Sequence, residues 1–446
     1  MIFAKPQSLN HYKDLALAST GLKQSLINIF GSSLASGFAA LSLIIISRYL
    51  GPVYFGQFST AFALLLILVR FNDLGLSIAT SKLVPATQDQ TIQQTLLGLI
   101  FRYRLALSGI IIVAGFIFSQ FLPSFLLTDN SSLILLAFLL SIAISFFEHT
   151  QFSLQALHQF KLAAILNGSQ GILKLLLSLP FIFLILQSSF SLSSAVILIF
   201  IFYMIAPAIP TLIIKLINPA RLPLSINLPQ SEAVPSLNKK IWQITKHAGL
   251  GIVAAGIIEN IDILFVQAYL TNYEAGLLAG VSRIALLLYV LAYALGNVLN
   301  PRVARYVNIE NLKKFWNKAW LIVAFSIVGF VLSMILAEPL IMYSIGVEYL
   351  PALGLMRILL AAGFVTIAGM PFIAMFYSFN LPWYFSVSGV VQLIIILVGN
   401  GLLIPEYGVN ASAWTRLVAR VVLLVMTIVL ARYHLNKQLL ATDQKN

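Results

Sequence analysis

Charged side chains lie inside several long apolar segments of this 446-residue chain. A charge near the centre of a bilayer costs about 2.5–3.5 kcal/mol on insertion scales, so such residues usually face a polar interior or a functional site. Cations at these depths could bind an anionic group such as a diphosphate, which suits the planar donor fork of arginine. Carboxylates could bind a proton or Na⁺, or tune the neighbouring cations. The candidate cations are Arg70, Lys174, Arg283, Arg416 and Arg420, and the candidate acids are Asp73, Glu148, Glu259 and Asp262.

Some of these charges could instead neutralise one another. Arg70 and Asp73 are three residues apart and share a helix face, so they could form a quenched pair. Glu259 and Asp262 have the same spacing and no local base, and Arg283 on the next helix could pair with them. The spacing leaves both interpretations open, and we favour a functional role for Glu259 and Asp262.

The remaining charges have no opposite charge within one helical turn. Arg416 and Arg420 are four residues apart, and Arg416 lies close enough to a helix end that it could snorkel to the interface. Lys174 is alone on its helix, and Glu148 forms a polar stripe with Gln155. We therefore expect a water-filled cavity that these charges line.

Composition and missing motifs exclude several classes of protein. The chain is 60% hydrophobic and 9% charged with a mean hydropathy of +0.95, whereas a soluble domain carries roughly 25% charged residues. It has no cysteine, no Gly-rich phosphate loop, no HExxH and no GxSxG, and its histidines are too scattered for a metal site. We expect no enzyme activity, no catalytic residues, no bound metal and no cofactor, apart from coupling to a proton or Na⁺.

Twelve apolar segments are long enough to cross a bilayer, which takes about 20 residues. The sequence therefore predicts an all-α integral membrane protein with about 12 transmembrane helices. The predicted spans are 25–47, 57–80, 97–119, 132–156, 163–186, 191–216, 246–270, 275–300, 318–342, 353–378, 383–404 and 410–431.

The positions of the basic residues predict the orientation of these spans. With the N-terminus in the cytoplasm, most of the 27 Lys and Arg residues fall on the cytoplasmic side, Arg102 and Arg104 among them. The outer loops instead carry Asp129, Glu274 and Glu348. Both termini are then cytoplasmic, and the net charge of +13 reflects this topology rather than a nucleic-acid partner. We expect the first helix, rather than a removable signal peptide, to direct insertion.

A polar, proline-rich stretch divides the chain into two lobes of six helices. We predict an N-lobe at 1–217, a cytoplasmic linker at 218–242 and a C-lobe with a cytoplasmic tail at 243–446. An even number of helices in each lobe gives a parallel repeat about an axis along the membrane normal. A trace of this repeat survives, because Tyr49-Leu50 followed by Gly56 recurs as Tyr269-Leu270 followed by Gly276.

Several segments resemble the polysaccharide-biosynthesis flippases. The residues SRYLGPVYFGQF at 47–58 match their Arg-x-Leu-Gly-Pro-x-x-Tyr/Phe-Gly pattern, and Asp73-Leu74-Gly75 matches an Asp-x-Gly-like element that closes helix 2. Glu274-Ala275-Gly276, Pro301, Gly346-Val347-Glu348-Tyr349 and the segment 404–411 extend the similarity over most of the chain. Twelve helices fit the O-antigen and exopolysaccharide type, whereas the related lipid II flippases typically have fourteen.

The resemblance implies a V-shaped, two-lobed carrier of the multidrug/oligosaccharidyl-lipid/polysaccharide exporter superfamily in the bacterial inner membrane. It implies movement of undecaprenyl-diphosphate-linked oligosaccharide from the cytoplasmic to the periplasmic leaflet. The expected partners are this lipid-linked oligosaccharide, membrane lipids, and a polysaccharide polymerase with its assembly proteins. The family has no single invariant site motif, so the candidate site residues depend on the predicted burial of their charges.

Three other classes of protein remain as alternatives. A cation-coupled multidrug exporter of the same superfamily would share the fold, but the excess of intramembrane cations argues against its cationic or apolar substrates. A membrane polymerase or ligase would need a long outer loop carrying its chemistry, and the sequence has none. A non-transporting scaffold would leave the intramembrane charges paired.

Overall fold

Thirteen α-helices and one 3₁₀-helix account for most of the part of the chain that the computed structural model describes. The described residues are 9–122, 131–186, 191–217, 234–306, 309–379, 381 and 383–443, and they contain no strand. The helices are α1 Leu9–Asp73, α2 Leu76–Leu83, α3 Gln90–Phe118, α4 Ser131–Ala156, α5 Phe160–Leu186, α6 Leu192–Ile205, α7 Ala208–Ile217, α8 Val234–Tyr269, α9 Asn272–Val303, α10 Ile309–Ser344, the 3₁₀-helix Val347–Ala352, α11 Leu353–Ser378, α12 Trp383–Tyr407 and α13 Val409–Asp443.

The long helix α1 consists of two helices, its first and second arms, which are joined at Gly51. This glycine has φ +67°, a left-handed conformation that glycine adopts without a steric penalty, and Pro52 opens the second arm. The hydroxyl of Tyr203 donates to Ala39 O of the first arm, and its ring contacts Phe62 of the second. The two arms therefore run back alongside each other.

The number of crossings agrees with the prediction. Eleven helical segments of the described residues are long and apolar enough to span a membrane, and the first of them, Leu34–Asp73, contains both arms of α1. Counting these arms separately gives the predicted twelve. The predicted span 57–80 ends at Asp73, because Leu74 and Gly75 both have positive φ before α2 begins.

The predicted linker 218–242 is too long at its second end. Residues 218–233 lie outside the described part of the chain, but residues 234–242 form the first turns of α8. Leu237 and Ile241 are buried one turn apart while Lys239 and Lys240 are exposed, which is the pattern of an amphipathic helix. Lys239 and Lys240 therefore lie on the exposed face of this helix and not in a loop.

The two glycines of the sequence repeat pack against each other's helices. A Cβ on Gly56 would lie 1.8 Å from Asn272 O, and a Cβ on Gly276 would lie 1.7 Å from Pro52 O. The repeat offset of 220 residues relates these two contacts, since it takes Pro52 to Asn272 and Gly56 to Gly276. The second arm of α1 and the start of α9 therefore meet by a two-fold-like contact that only glycine permits.

The largest apolar core joins both halves of the chain at this end of the bundle, which we call the Gly51 end. It contains Phe58 and Phe200 from the first half and Val281 and Met356 from the second. At the opposite end, which we call the Gly75 end, a Cβ on Gly249 of α8 would lie 2.8 Å from Leu74 O. The second arm of α1 thus follows α8 from one end to the other.

Candidate functional site

Two ion pairs between helices neutralise four intramembrane charges in the first half of the chain. Arg70 Nη2 lies 2.5 Å from Glu148 Oε1 of α4, not beside Asp73. Asp73 instead pairs with Arg104 of α3, and both side chains are fully buried. The pair Arg70–Asp73 considered from spacing is therefore wrong, although both residues are paired.

Arg104 completes this pair, although its position near the start of the predicted span 97–119 did not mark it as a candidate site residue. Because α3 begins at Gln90 rather than near 97, Arg104 lies about 21 Å along this helix at 1.5 Å per residue. Nη1 of Arg104 donates to Ser145 O and Oγ at 3.1 and 2.9 Å. The Asp73 carboxylate also accepts from Ser77 N and Oγ, which fixes the turn at the Gly75 end.

The second half contains a matching pair. Arg416 of α13 places Nη2 at 2.5 Å and Nε at 2.6 Å from Asp262 Oδ2 of α8. Asn400 of α12 donates to the other oxygen of Asp262 at 2.7 Å. Arg416 therefore does not snorkel to the interface, and the pair of Asp262 with Arg283 is wrong.

Glu259 differs from the other three candidate acids. It is exposed and makes no salt bridge among the described residues. It lies close enough to Arg70 of the first half and Arg416 of the second to interact electrostatically with both. Arg70 itself packs on α8, since a Cβ on Gly256 would meet its Cγ at 2.2 Å. Glu259 thus lies at the seam between the halves.

Arg420 is held by neutral groups. Its Nη1 donates to Gln392 Oε1 of α12 at 2.7 Å, and its guanidinium lies 5.3 Å from the ring centroid of Tyr289. Both contacts hold the arginine in place without cancelling its charge.

Lys174 and Arg283 have no carboxylate within ion-pair distance in the described chain. Lys174 Nζ lies 4.8 Å from the centroid of the Tyr203 ring, and Arg283 Cζ lies 5.2 Å from that of Phe62. Arg283 Nε is buried, and no described residue forms a hydrogen bond with it. The two rings touch each other edge to face, and they belong to one aromatic cluster of Phe58, Phe62, Phe200 and Tyr203.

The nine candidate residues therefore divide by charge balance. Asp73 is cancelled by Arg104, which was not a candidate. The balanced cluster holds three cations and three acids along the seam, and consists of Arg70, Arg416, Arg420, Glu148, Glu259 and Asp262. The acid-free pair, Lys174 and Arg283, holds two cations on opposite halves of the chain and joins them through the aromatic cluster.

Solved structures of transporters share this fold. One is the inward-facing conformation of a multidrug resistance MATE family transporter of the MOP superfamily, with 15% identity, coverage of 93% of this chain and 95% of that one, and a TM-score of 0.68. Another is the lipid II flippase MurJ in an inward closed conformation, with 14% identity, coverage of 92% and 87%, and a TM-score of 0.70. A third is a MOP superfamily transporter from Pyrococcus furiosus, with 14% identity, coverage of 93% and 95%, and a TM-score of 0.55. At these identities the likeness concerns the fold.

The sequence itself identifies the family. No curated protein sequence matches the chain significantly. Residues 22–307, which include most of the first half and the start of the second, match the family described as polysaccharide biosynthesis protein. The chain therefore belongs to the polysaccharide biosynthesis protein family and has the all-helical fold of MOP superfamily transporters.

Proposed function

We propose that this protein is a flippase that moves undecaprenyl-diphosphate-linked oligosaccharide from the cytoplasmic to the periplasmic leaflet. The observation that carries the proposal is the acid-free pair. Lys174 is 9% exposed, Arg283 is half-buried, and each has only an aromatic ring for a partner among the described residues. Removing such a charge from water is expensive unless a counter-ion is supplied, and a diphosphate supplies one to both cations at once.

The position of the pair suits a carrier. Lys174 belongs to α5 of the first half and Arg283 to α9 of the second, so an anion that binds both also bridges the halves. Phe62, under Arg283, lies eleven residues beyond Gly51, which is about 16 Å at 1.5 Å per residue and about half of a 30 Å hydrocarbon layer. A bound headgroup at this depth is accessible from either side when the lobes rock.

The lipid tail needs an apolar path beside the headgroup site, because exposing the tail to water costs about 0.8 kcal/mol for each CH₂ group. A cavity of about 370 Å³ lies between α3 and α8 at the Gly75 end. Apart from Lys246 its lining is mainly apolar, and it includes Leu74, Leu107, Trp242 and Leu250. This cavity supports a tail that stays in the bilayer at the seam between the lobes.

The proposal places the Gly75 end in the cytoplasm of a bacterial inner membrane, with both termini on the same side. The lobes are the helices before residue 218 and the helices from Val234 onwards, joined by a cytoplasmic segment at 218–233. A polysaccharide polymerase and its assembly proteins would receive the product. Because the chain has no cysteine, single cysteines at Ser191 and Gln438 report this topology directly. Impermeant maleimide on intact spheroplasts should label the first and not the second.

Coupling to an ion is not required by this arrangement. Asp73, Glu148 and Asp262 each already bind an arginine. A proton or Na⁺ at any of them would have to compete with that guanidinium, and it could drive transport only by differing in affinity between the two states.

Transport into proteoliposomes tests the proposal. Wild type should flip fluorescent undecaprenyl-diphosphate oligosaccharide, and Lys174→Gln and Arg283→Gln should each slow flipping by roughly tenfold or more, since each removes a charge partner of the diphosphate. Lys215→Gln is the matched control, because Lys215 is also buried against a ring, 5.0 Å from the centroid of Phe101, but lies in the last turn of α7. It should flip lipid at the wild-type rate.

Two results would overturn the proposal. Folded wild type that moves no diphosphate lipid, yet exports rhodamine dyes, would identify a multidrug exporter. Equal losses in Lys174→Gln and Lys215→Gln would show that any buried lysine supports folding and that the acid-free pair is not a binding site.

A further inference from the structure

Two tyrosines of α9 lie beside the balanced cluster. Tyr289 and Tyr293 are one turn apart, and Tyr293 is 55% exposed while Tyr289 is 9% exposed. The guanidinium of Arg420 stacks on the ring of Tyr289, and the Tyr289 hydroxyl is buried with no hydrogen-bond partner among the described residues. An exposed aromatic ring and an unsatisfied hydroxyl are therefore neighbours on one helix.

Polar groups of α8, α12 and α13 lie near these rings. Glu259 of α8 and Arg420 of α13 are near enough to Tyr293 to affect its electrostatics. Gln392 of α12 fixes Arg420 through the 2.7 Å hydrogen bond. We call this set the tyrosine site, and it consists of Glu259, Tyr289, Tyr293, Gln392 and Arg420.

The charge of this region favours a neutral ligand. Arg70 and Arg416 are bound by Glu148 and Asp262, and the free carboxylate of Glu259 offsets the charge of Arg420. The region therefore offers hydrogen-bond donors and acceptors without net charge. The acid-free pair, in contrast, offers only positive charge and rings.

We propose that the tyrosine site recognises the sugar rings of the lipid-linked substrate, while the acid-free pair binds its diphosphate. This inference rests on the proposed function and divides the substrate site into a diphosphate part and a sugar part. A sugar ring has an apolar CH face, which stacks on an exposed tyrosine, and a rim of hydroxyls, which suits carboxylate, amide and guanidinium partners. The tyrosine site contains each of these groups.

An organic cation is the other ligand that rings and a carboxylate could hold. Glu259 is flanked by Arg70 and Arg416, which interact with it electrostatically. A second cation would therefore meet repulsion as well as attraction, whereas hydroxyl groups would donate to the carboxylate without it. The observations favour the sugar.

The test compares two lipids on the full-length protein in nanodiscs. Undecaprenyl diphosphate without sugar and a panel of undecaprenyl-diphosphate mono- to pentasaccharides are titrated by native mass spectrometry. Wild type should bind at least one glycosylated lipid more tightly than the sugar-free lipid. Tyr293→Leu and Glu259→Gln should reduce this preference by roughly tenfold, the upper range for one aromatic contact, and leave sugar-free binding unchanged. Tyr293→Phe should keep the preference.

The controls separate this inference from the proposed function. Tyr433→Leu removes a tyrosine of similar exposure, 59%, from the far end of α13 and should change neither affinity. Equal binding of glycosylated and sugar-free lipid by wild type would overturn the sugar site and leave the flippase proposal standing. Equal loss of both lipids in Tyr293→Leu, or Glu259-dependent binding of rhodamine 6G in place of any sugar preference, would overturn it as well. Failure of wild type to bind either lipid would overturn both proposals.

Discussion

The balanced cluster and the acid-free pair both contain intramembrane cations, but only the balanced cluster also contains the acids that neutralise them. Arg416 lies between Asp262 and two backbone carbonyls of α8, so the fold supplies its counter-ion. Within the described part of the chain, Lys174 has only the face of the Tyr203 ring as a partner. An intramembrane charge is therefore structural where its partner comes from the protein, and it is available to a ligand where no such partner exists. This distinction depends on neighbouring helices rather than on spacing along one helix.

The largest expected effect comes from breaking a balanced pair. Asp262→Asn leaves the Arg416 guanidinium buried without its carboxylate, and we expect a loss of about 3–5 kcal/mol in the free energy of unfolding. Unfolding in mixed detergent, followed by intrinsic fluorescence, measures this loss. The double variant Asp262→Asn/Arg416→Gln should recover most of it, because it removes both charges. No recovery would mean that Asn400 and packing, rather than charge, hold these helices together.

Removing a charge from the acid-free pair should have the opposite sign. Lys174→Met replaces a buried, uncompensated cation by an apolar chain of similar length, and we expect stability to rise by about 1–2 kcal/mol. Flipping of the diphosphate lipid should nevertheless fall. The same unfolding assay measures the rise, and a marked loss of stability would show that Lys174 has a counter-ion and belongs with the balanced residues.

A smaller effect is expected where a balanced pair is partly open. The side chains of Arg70 and Glu148 are 31% and 13% exposed, against 14% and 6% for Arg416 and Asp262. Water screens the first pair more, so Arg70→Gln should cost about 1 kcal/mol of stability. Raising the salt concentration should shrink this difference between wild type and variant. A cost as large as that of Asp262→Asn would contradict the ranking by exposure.

The sequence predicts the crossings and the family more reliably than the ion pairs. Long apolar segments determine the twelve crossings, and the repeat of Gly56 as Gly276 marks the contact where the two halves meet. The motif segments around Gly51 and Gly346 converge there too, since Arg48 donates to Tyr343 O and Ser344 O at 2.8 and 3.3 Å. Residues of the family pattern therefore form contacts at the Gly51 end.

Ion pairs could not be read from spacing because their members lie far apart in the chain. Arg70 and Glu148 are separated by 78 residues, Asp73 and Arg104 by 31, and Asp262 and Arg416 by 154. The three-residue spacing of Arg70 and Asp73 on one helix suggested instead that these two residues pair with each other. Arg104 was not a candidate because the predicted span 97–119 starts seven residues after α3 begins at Gln90, which put Arg104 near the start of the span.

Binding of undecaprenyl diphosphate tests most directly that the acid-free pair holds the anion. Native mass spectrometry would compare wild type, the double variant Lys174→Gln/Arg283→Gln, and Arg420→Gln, whose cation belongs to the balanced cluster. We expect the double variant to lose roughly a hundredfold in affinity, or about 1.4 kcal/mol for each tenfold step, and Arg420→Gln to keep the wild-type affinity. Unchanged affinity in the double variant, with binding lost in Arg420→Gln, would contradict the account and move the anion site to the balanced cluster.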